Sequence, residues 1–123
     1  MNMKIDGRQL VAELTGCNKA LLNDEKRLTV LLTAGIIESG LTQVHMSSHK
    51  FQPIGVTLIA IISESHVALH TFPESGHASL DVYHCNADSA PLYRLLKFLQ
   101  SALGADNATH LEISRGAALN LQQ

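Results

Sequence analysis

Apolar residues along this chain fall into two kinds of spacing. From Asn18, a residue suited to capping a helix, Leu21, Leu28, Leu32 and Ile36 recur at intervals of seven, four and four. That is the stripe of an amphipathic helix, and it ends near Gly40. A second stripe is denser: Ser89 stands at the cap, Pro91 lies in the first turn, and Leu92, Leu95, Leu96, Leu99, Ala102 and Leu103 share one face before Gly104. Both helices are apolar on a single face, so both are expected to lie on a sheet.

The sheet is written in shorter runs. Gly7 to Leu14 reads as a short strand, and Val44 to Phe51 alternates loosely until Pro53-Ile54-Gly55 ends it. Val56 to Ile62 is apolar at nearly every position, which predicts a central strand buried on both faces. After Ser63-Glu64-Ser65, the segment His66 to Phe72 alternates, with Val67 and Leu69 opposite His66, Ala68, His70 and Phe72. Pro73-Glu74-Ser75-Gly76 is a turn signal, beyond which Ala78, Leu80 and Val82 face away from Ser79, Asp81, Tyr83 and Cys85. A last strand is expected from about Ala108 to Ile113. No repeat or linker interrupts the pattern, so the expected fold class is α+β. It is a single domain spanning 1–123, a two-layer sandwich of an antiparallel β-sheet with two helices packed on one face.

Turn positions fix an approximate register. A tight turn at Ser63 to Ser65 sets Thr57 opposite or diagonal to His70, and a turn at Pro73 to Gly76 sets Ser65 across from Cys85 or His84. Two polar pairs emerge, Thr57 with His70 and Ser65 with Cys85. Five extended residues, roughly 16 Å, separate Ser65 from His70, so the pairs do not meet within one flat hairpin. If all four act together, a two-fold dimer is the simplest route.

Composition narrows the partners. The 123 residues carry nine Lys plus Arg against eleven Asp plus Glu, a net charge of -2 with no basic run, which argues against nucleic acid. Hydrophobic residues make up 46% and aromatics 4%, so the core is aliphatic and disorder is excluded. Cys17 and Cys85 are too few for a disulfide framework, Met1 to Gly7 lacks an apolar signal segment, and no run approaches the ~18 apolar residues of a membrane span. These features predict a soluble, cytoplasmic protein. Seven histidines are many for this length: His45, His49, His66, His70 and His77 lie mid-chain, with His84 just beyond. A zinc site is disfavoured, because i,i+4 spacing on a strand separates ligands by ~13 Å, too far for one ion. Taken singly, a Ser at a turn, a strand Thr and a strand Cys are ordinary structural choices.

Taken together they are not. Ser63-Glu64-Ser65-His66-Val67-Ala68-Leu69-His70-Thr71-Phe72-Pro73-Glu74 closely resembles the prokaryotic S-adenosylmethionine decarboxylase proenzymes, with their Glu-Ser-His followed by His-Thr-aromatic-Pro-Glu. The resemblance extends to His49-Lys50-Phe51, Pro53, Gly55-Val56-Thr57, Asp81-Val82-Tyr83-His84-Cys85 and Gly7-Arg8-Gln9-Leu10-Val11-Ala12-Glu13, nearly the whole chain. It implies self-cleavage between Glu64 and Ser65, giving a β chain 1–64 and an α chain 65–123 capped by a pyruvoyl group made from Ser65. That group is the implied cofactor, with no metal. His70 and Thr57 would assist processing, through an imidazole base and a hydroxyl donor. Cys85 would return a proton in turnover, as a thiol mostly protonated near neutral pH can.

Phe51 and Phe72 would stack on adenine, and Glu74 would accept from the ribose hydroxyls. The implied product, decarboxylated S-adenosylmethionine, is the aminopropyl donor for spermidine, and the implied assembly is a homodimer with active sites at the interface. Phe72 stands where the family often has Trp, Leu58 where a small residue is common, and His84 and Asn86 where Thr and Gly are usual. A relative decarboxylating ornithine or arginine, and an unprocessed nucleoside-binding or regulatory homologue, are the alternatives.

Overall fold

The computed structural model describes residues 6–116 and 118–122. The opening Met1 to Ile5, read above as lacking a signal segment, lie outside the described residues. Seven strands, β1 (Asp6–Thr15), β2 (Gln43–Lys50), β3 (Val56–Ile62), β4 (Ser65–Phe72), β5 (His77–His84), β6 (Asn107–Gly116) and β7 (Asn120–Gln122), form one sheet in the order β2-β3-β4-β5-β1-β6-β7. All the pairings are antiparallel. The helices are α1 (Lys19–Leu22), α2 (Glu25–Glu38) and α3 (Ala90–Ala102). None is long and apolar enough to cross a membrane.

Period-two alternation accounts for the core. Leu10, Ala12 and Leu14 of β1, Val56, Leu58, Ala60 and Ile62 of β3, and Ala78, Leu80 and Val82 of β5 are buried against Leu28, Leu32 and Ile36 of α2 and Leu92, Leu95 and Leu99 of α3. Each buried Leu, Ile or Val among them contributes about 1.5–3 kcal/mol on burial, and each Ala less. Gly35 lets α2 meet α3, since a Cβ there would stand 2.7 Å from the Phe98 ring. Thr71, buried at 5% exposure, pins β4 from the inside: its hydroxyl donates to Leu22 O at 2.7 Å and accepts from Val56 N at 2.9 Å.

Several expectations need correction. The first helix is broken, because Asp24 accepts from Arg27 N at 3.1 Å and caps a new start after the short α1, itself capped by Asn18. Ser89 occupies the N-cap of α3 without a side-chain bond, and Asp88 Oδ1 accepts from Ala90 N instead. The strand β3 is not covered on both faces: Ile59 and Ile61 are 46% and 51% exposed, because both long helices lie on the other side. It is also second from the edge, beside β2, which carries His45 and His49 on the exposed margin. Beyond the expected last strand, β6 runs longer and β7 pairs with it through Ile113 and Leu121.

Candidate active site

The turn joining β3 to β4 is clamped from three directions. Ser63 N–H donates to Thr42 O at 2.8 Å, Thr42 N–H donates to Glu64 Oε1 at 3.2 Å, and Cys85 N–H donates to the Glu64 carbonyl oxygen at 2.9 Å. The last bond polarises the carbonyl of the Glu64–Ser65 peptide, as a backbone donor in an oxyanion site does. Ser65 has φ +156°, the only positive value on a non-glycine residue among the described residues. A side-chain-bearing residue held there stores backbone strain, of order 1–3 kcal/mol. Ser65 Oγ lies 3.5 Å from His66 Nδ1.

Ser65 itself pairs with His84, one of the two partners the turn position allowed, and not with Cys85. The turn after β4 is a single 3-10 turn at Pro73–Ser75, closed by Gly76 at φ +64°, and this sets the register one residue from the expected Ser65–Cys85 pairing. Cys85 follows β5 and is exposed, and its backbone rather than its strand position brings it to the Glu64 carbonyl. Cys17 is buried, and burial, reinforced by Asp106, pushes its thiol pKa up, so Cys85 is the accessible thiol.

Thr57 and His70 are directly paired across β3 and β4, with Thr57 Oγ1 3.0 Å from His70 Nδ1. They line an open cavity of about 350 Å³ together with Phe51, Thr71, Phe72 and Glu74. Phe51 and Phe72 are half exposed, each braced by an imidazole: His49 meets Phe51 edge-on at 4.6 Å and His77 stacks on Phe72 at 5.2 Å. Thus Thr57, His70, Phe51, Phe72 and Glu74 come together, while Glu64, Ser65 and Cys85 form a second group at the other end of β4, roughly 16 Å away by strand rise.

Sequence reasoning missed two contributors. Thr71 lies inside the His70–Glu74 motif, yet a strand threonine carries no sign of its inward staple. Asp81 stands in the open face with Oδ2 3.6 Å from His66 Nε2, a relationship that needs the β4–β5 register to be seen.

An antiparallel sheet covered on one side, with a polarised peptide bond and an aromatic-lined cavity along its margin, defines the class. Residues 8–116 match the S-adenosylmethionine decarboxylase family model. The chain is 39% identical over 110 residues to the S-adenosylmethionine decarboxylase proenzyme of Carboxydothermus hydrogenoformans, covering 89% of this chain and 86% of that one. It is 35% identical to the proenzyme of Methanococcus maripaludis, covering 93% of each. The crystal structure of the adenosylmethionine decarboxylase from Aquifex aeolicus VF5 superposes with a TM-score of 0.85 at 28% identity, over 94% of this chain and 95% of that chain. The Trypanosoma brucei AdoMetDC-delta26 monomer shares the fold, with a TM-score of 0.62 at 12% identity, over 86% of this chain and 45% of that chain. This chain belongs to the S-adenosylmethionine decarboxylase family.

Proposed function

We propose that the chain is a self-processing decarboxylase of S-adenosylmethionine, a single domain cut between Glu64 and Ser65, with a pyruvoyl group made from Ser65 as cofactor. The observation that carries this reading is the 2.9 Å bond from Cys85 N–H to the Glu64 carbonyl oxygen, at the one bond whose following residue is a strained serine. Attack of Ser65 Oγ on the Glu64 carbonyl carbon closes a five-membered ring, with the oxyanion held by Cys85 N–H. Collapse breaks the C–N bond and leaves an ester and a free amine on residue 65. A base then removes the Cα proton of residue 65, and Glu64 departs as a carboxylate. Hydrolysis of the resulting enamine releases ammonia and leaves a ketone at the head of chain 65–123.

His70 is the assigned base for the Cα proton. With Nδ1–H donating to Thr57 Oγ1, its Nε2 is the free basic nitrogen. Within one protomer His70 is too far from Ser65, so the partner is a second copy whose Thr57–His70 pair and cavity meet this copy's Ser65 and Cys85. Exposed Ile59 and Ile61, neighbours along β3 on the helix-free face that also carries Thr57 and His70, support such an interface.

The pyruvoyl ketone supplies an electron sink for loss of carbon dioxide from a bound α-amino acid. The chain's own residues do the rest: Phe51 and Phe72 sandwich a purine, Glu74 accepts from a ribose diol, and Cys85 delivers a proton at the open end of β5. Two rings and a carboxylate at one cavity suit a nucleoside-bearing substrate better than ornithine or arginine, which have no aromatic group to stack. The product then feeds aminopropyl transfer to form spermidine. Two unpaired cysteines fit a reducing cytoplasm.

Intact mass of the purified protein tests the reading. Fragments 1–64 and 65–123, the second with a pyruvoyl head, support it, and a lone 13.3 kDa chain after long incubation sinks it. Carbon dioxide release from S-adenosylmethionine, compared with ornithine and arginine, tests the substrate.

A further inference from the structure

Self-cleavage calls for a proton acceptor twice: once for the Ser65 hydroxyl proton as the oxygen attacks, and once for the Cα proton after the ester has formed. The Thr57–His70 pair sits at the far end of β4 and answers the second need through a partner protomer. A separate set of residues stands beside Ser65 itself. Adjacent residues of a strand ordinarily point to opposite faces, but Ser65 departs from regular strand geometry at φ +156°, and its Oγ lies 3.5 Å from His66 Nδ1. The other ring nitrogen, Nε2, is 3.6 Å from Asp81 Oδ2. Asp81 is itself fixed: its Oδ1 accepts from Gln9 Nε2 at 2.8 Å, and Gln9 Oε1 accepts from Arg115 at 3.1 Å. Arg115 in turn lies over the Tyr83 ring at 4.3 Å, and Tyr83 flanks the His66 ring. Side chains of β4, β5, β1 and β6 therefore form a continuous support that ends at the Ser65 hydroxyl.

We propose that His66 is the general base of the first processing step, with Asp81 as its positioning residue. The assignment rests on the self-processing reading above. In this arrangement Nε2–H faces the Asp81 carboxylate, which leaves Nδ1 unprotonated and turned to Ser65 Oγ. As Oγ bonds to the Glu64 carbonyl carbon, its proton passes to Nδ1. As the C–N bond of the ring breaks, the same proton passes from Nδ1 to the departing Ser65 nitrogen. No external reagent is consumed, and the imidazole ends neutral. The 3.5 Å separation is at the outer limit of a hydrogen bond, as resting catalytic contacts often are before they tighten in the reacting state. The two histidines thus divide the labour, with His66 acting within its own chain before the ester and His70 acting after it.

The full chain made by cell-free translation with a short pulse of labelled methionine allows cleavage to be timed. His66→Gln keeps the size and polarity of the side chain but removes the base, and cleavage is expected to slow by roughly 10²–10⁴-fold. The accumulating chain is expected to resist hydroxylamine, because its 64–65 linkage is still an amide, and added imidazole is expected to restore cleavage of His66→Ala in part. Asp81→Asn is expected to slow cleavage less. His70→Ala is expected to accumulate a chain that hydroxylamine does cut. Cleavage of His66→Gln within about two-fold of wild type, or a hydroxylamine-sensitive His66→Gln chain, overturns the assignment while leaving self-processing intact. A wild-type chain that never cleaves overturns the parent reading, and this one with it.

Discussion

The backbone N–H of Cys85 donates to the carbonyl oxygen of Glu64 at 2.9 Å, so the residue expected to act through its thiol also touches the Glu64–Ser65 peptide through its amide. In the proposed reaction one loop end would serve two stages, holding the oxyanion before cleavage and presenting an exposed thiol afterwards. The bond also ties the end of β5 to the β3–β4 turn, which keeps Ser65 in its unfavourable conformation.

That strain is measurable in uncut protein. Ser65→Ala and Ser65→Gly both lack the hydroxyl and are expected to remain single chains. Glycine tolerates positive φ, whereas alanine does not, so Ser65→Gly is expected to be more stable by about 1 kcal/mol despite glycine's greater unfolded-state entropy. Thermal melts of the two intact variants check this, and a melting temperature for Ser65→Ala equal to or above that of Ser65→Gly contradicts it.

A shared site predicts complementation. Ser65→Ala chains retain the Thr57–His70 pair, and His70→Ala chains retain Ser65. Neither variant is expected to complete processing alone. When they are co-expressed, each mixed dimer builds one whole site, and the His70→Ala chain in it becomes able to cleave. Mass spectrometry of the mixture reads this directly, and no cleavage in verified mixed dimers argues for a site within one chain.

Glu74 lines the cavity beside Phe72, remote from the Glu64–Ser65 turn. Glu74→Gln is expected to process normally, because nothing in the first steps touches it. Hydrogen bonds to a charged group contribute about 1.5–3 kcal/mol, so KM for S-adenosylmethionine is expected to rise about 10- to 100-fold with a smaller change in kcat. Steady-state kinetics on fully cleaved enzyme separate the two parameters.

Alkaline pH addresses the other end of the sheet. Tyr93 Oη donates to Glu112 Oε1 at 2.7 Å, and burial, then the hydrogen bond to Glu112 and its charge, push the phenol up to about 12. Its unfolded value is near 10, so the folded state holds this proton more tightly. The contribution to stability is fully present below about pH 10 and is lost as pH rises through about 12. Absorbance titration of tyrosinate is expected to show a step near pH 12 in the folded protein that is absent in Tyr93→Phe.

The strand and helix pattern was largely legible because period-two and helical spacings reflect burial on one side of each element. The Thr57–His70 pair was legible for the same reason, since a two-residue turn leaves little freedom of register. The break between α1 and α2 was not: it depends on whether Asp24 turns inward as a cap, and the leucine stripe is compatible with either outcome. Nor did an apolar β3 reveal that Ile59 and Ile61 would be left uncovered, because hydropathy records what a residue avoids and not which surface covers it.

By itself the sequence determined the layer architecture, the hairpin register to within a residue, and the motif that marks Glu64, Ser65 and His70. Only the tertiary structure decided that Cys85 reaches Glu64 through its amide, that Thr71 anchors the cavity wall, and that Asp81 faces His66. Those relationships join segments distant along the chain through single hydrogen bonds or charge contacts. A one-residue slip at the 3-10 turn would abolish the Cys85–Glu64 and Asp81–His66 contacts while leaving the hydrophobic pattern within each strand unchanged.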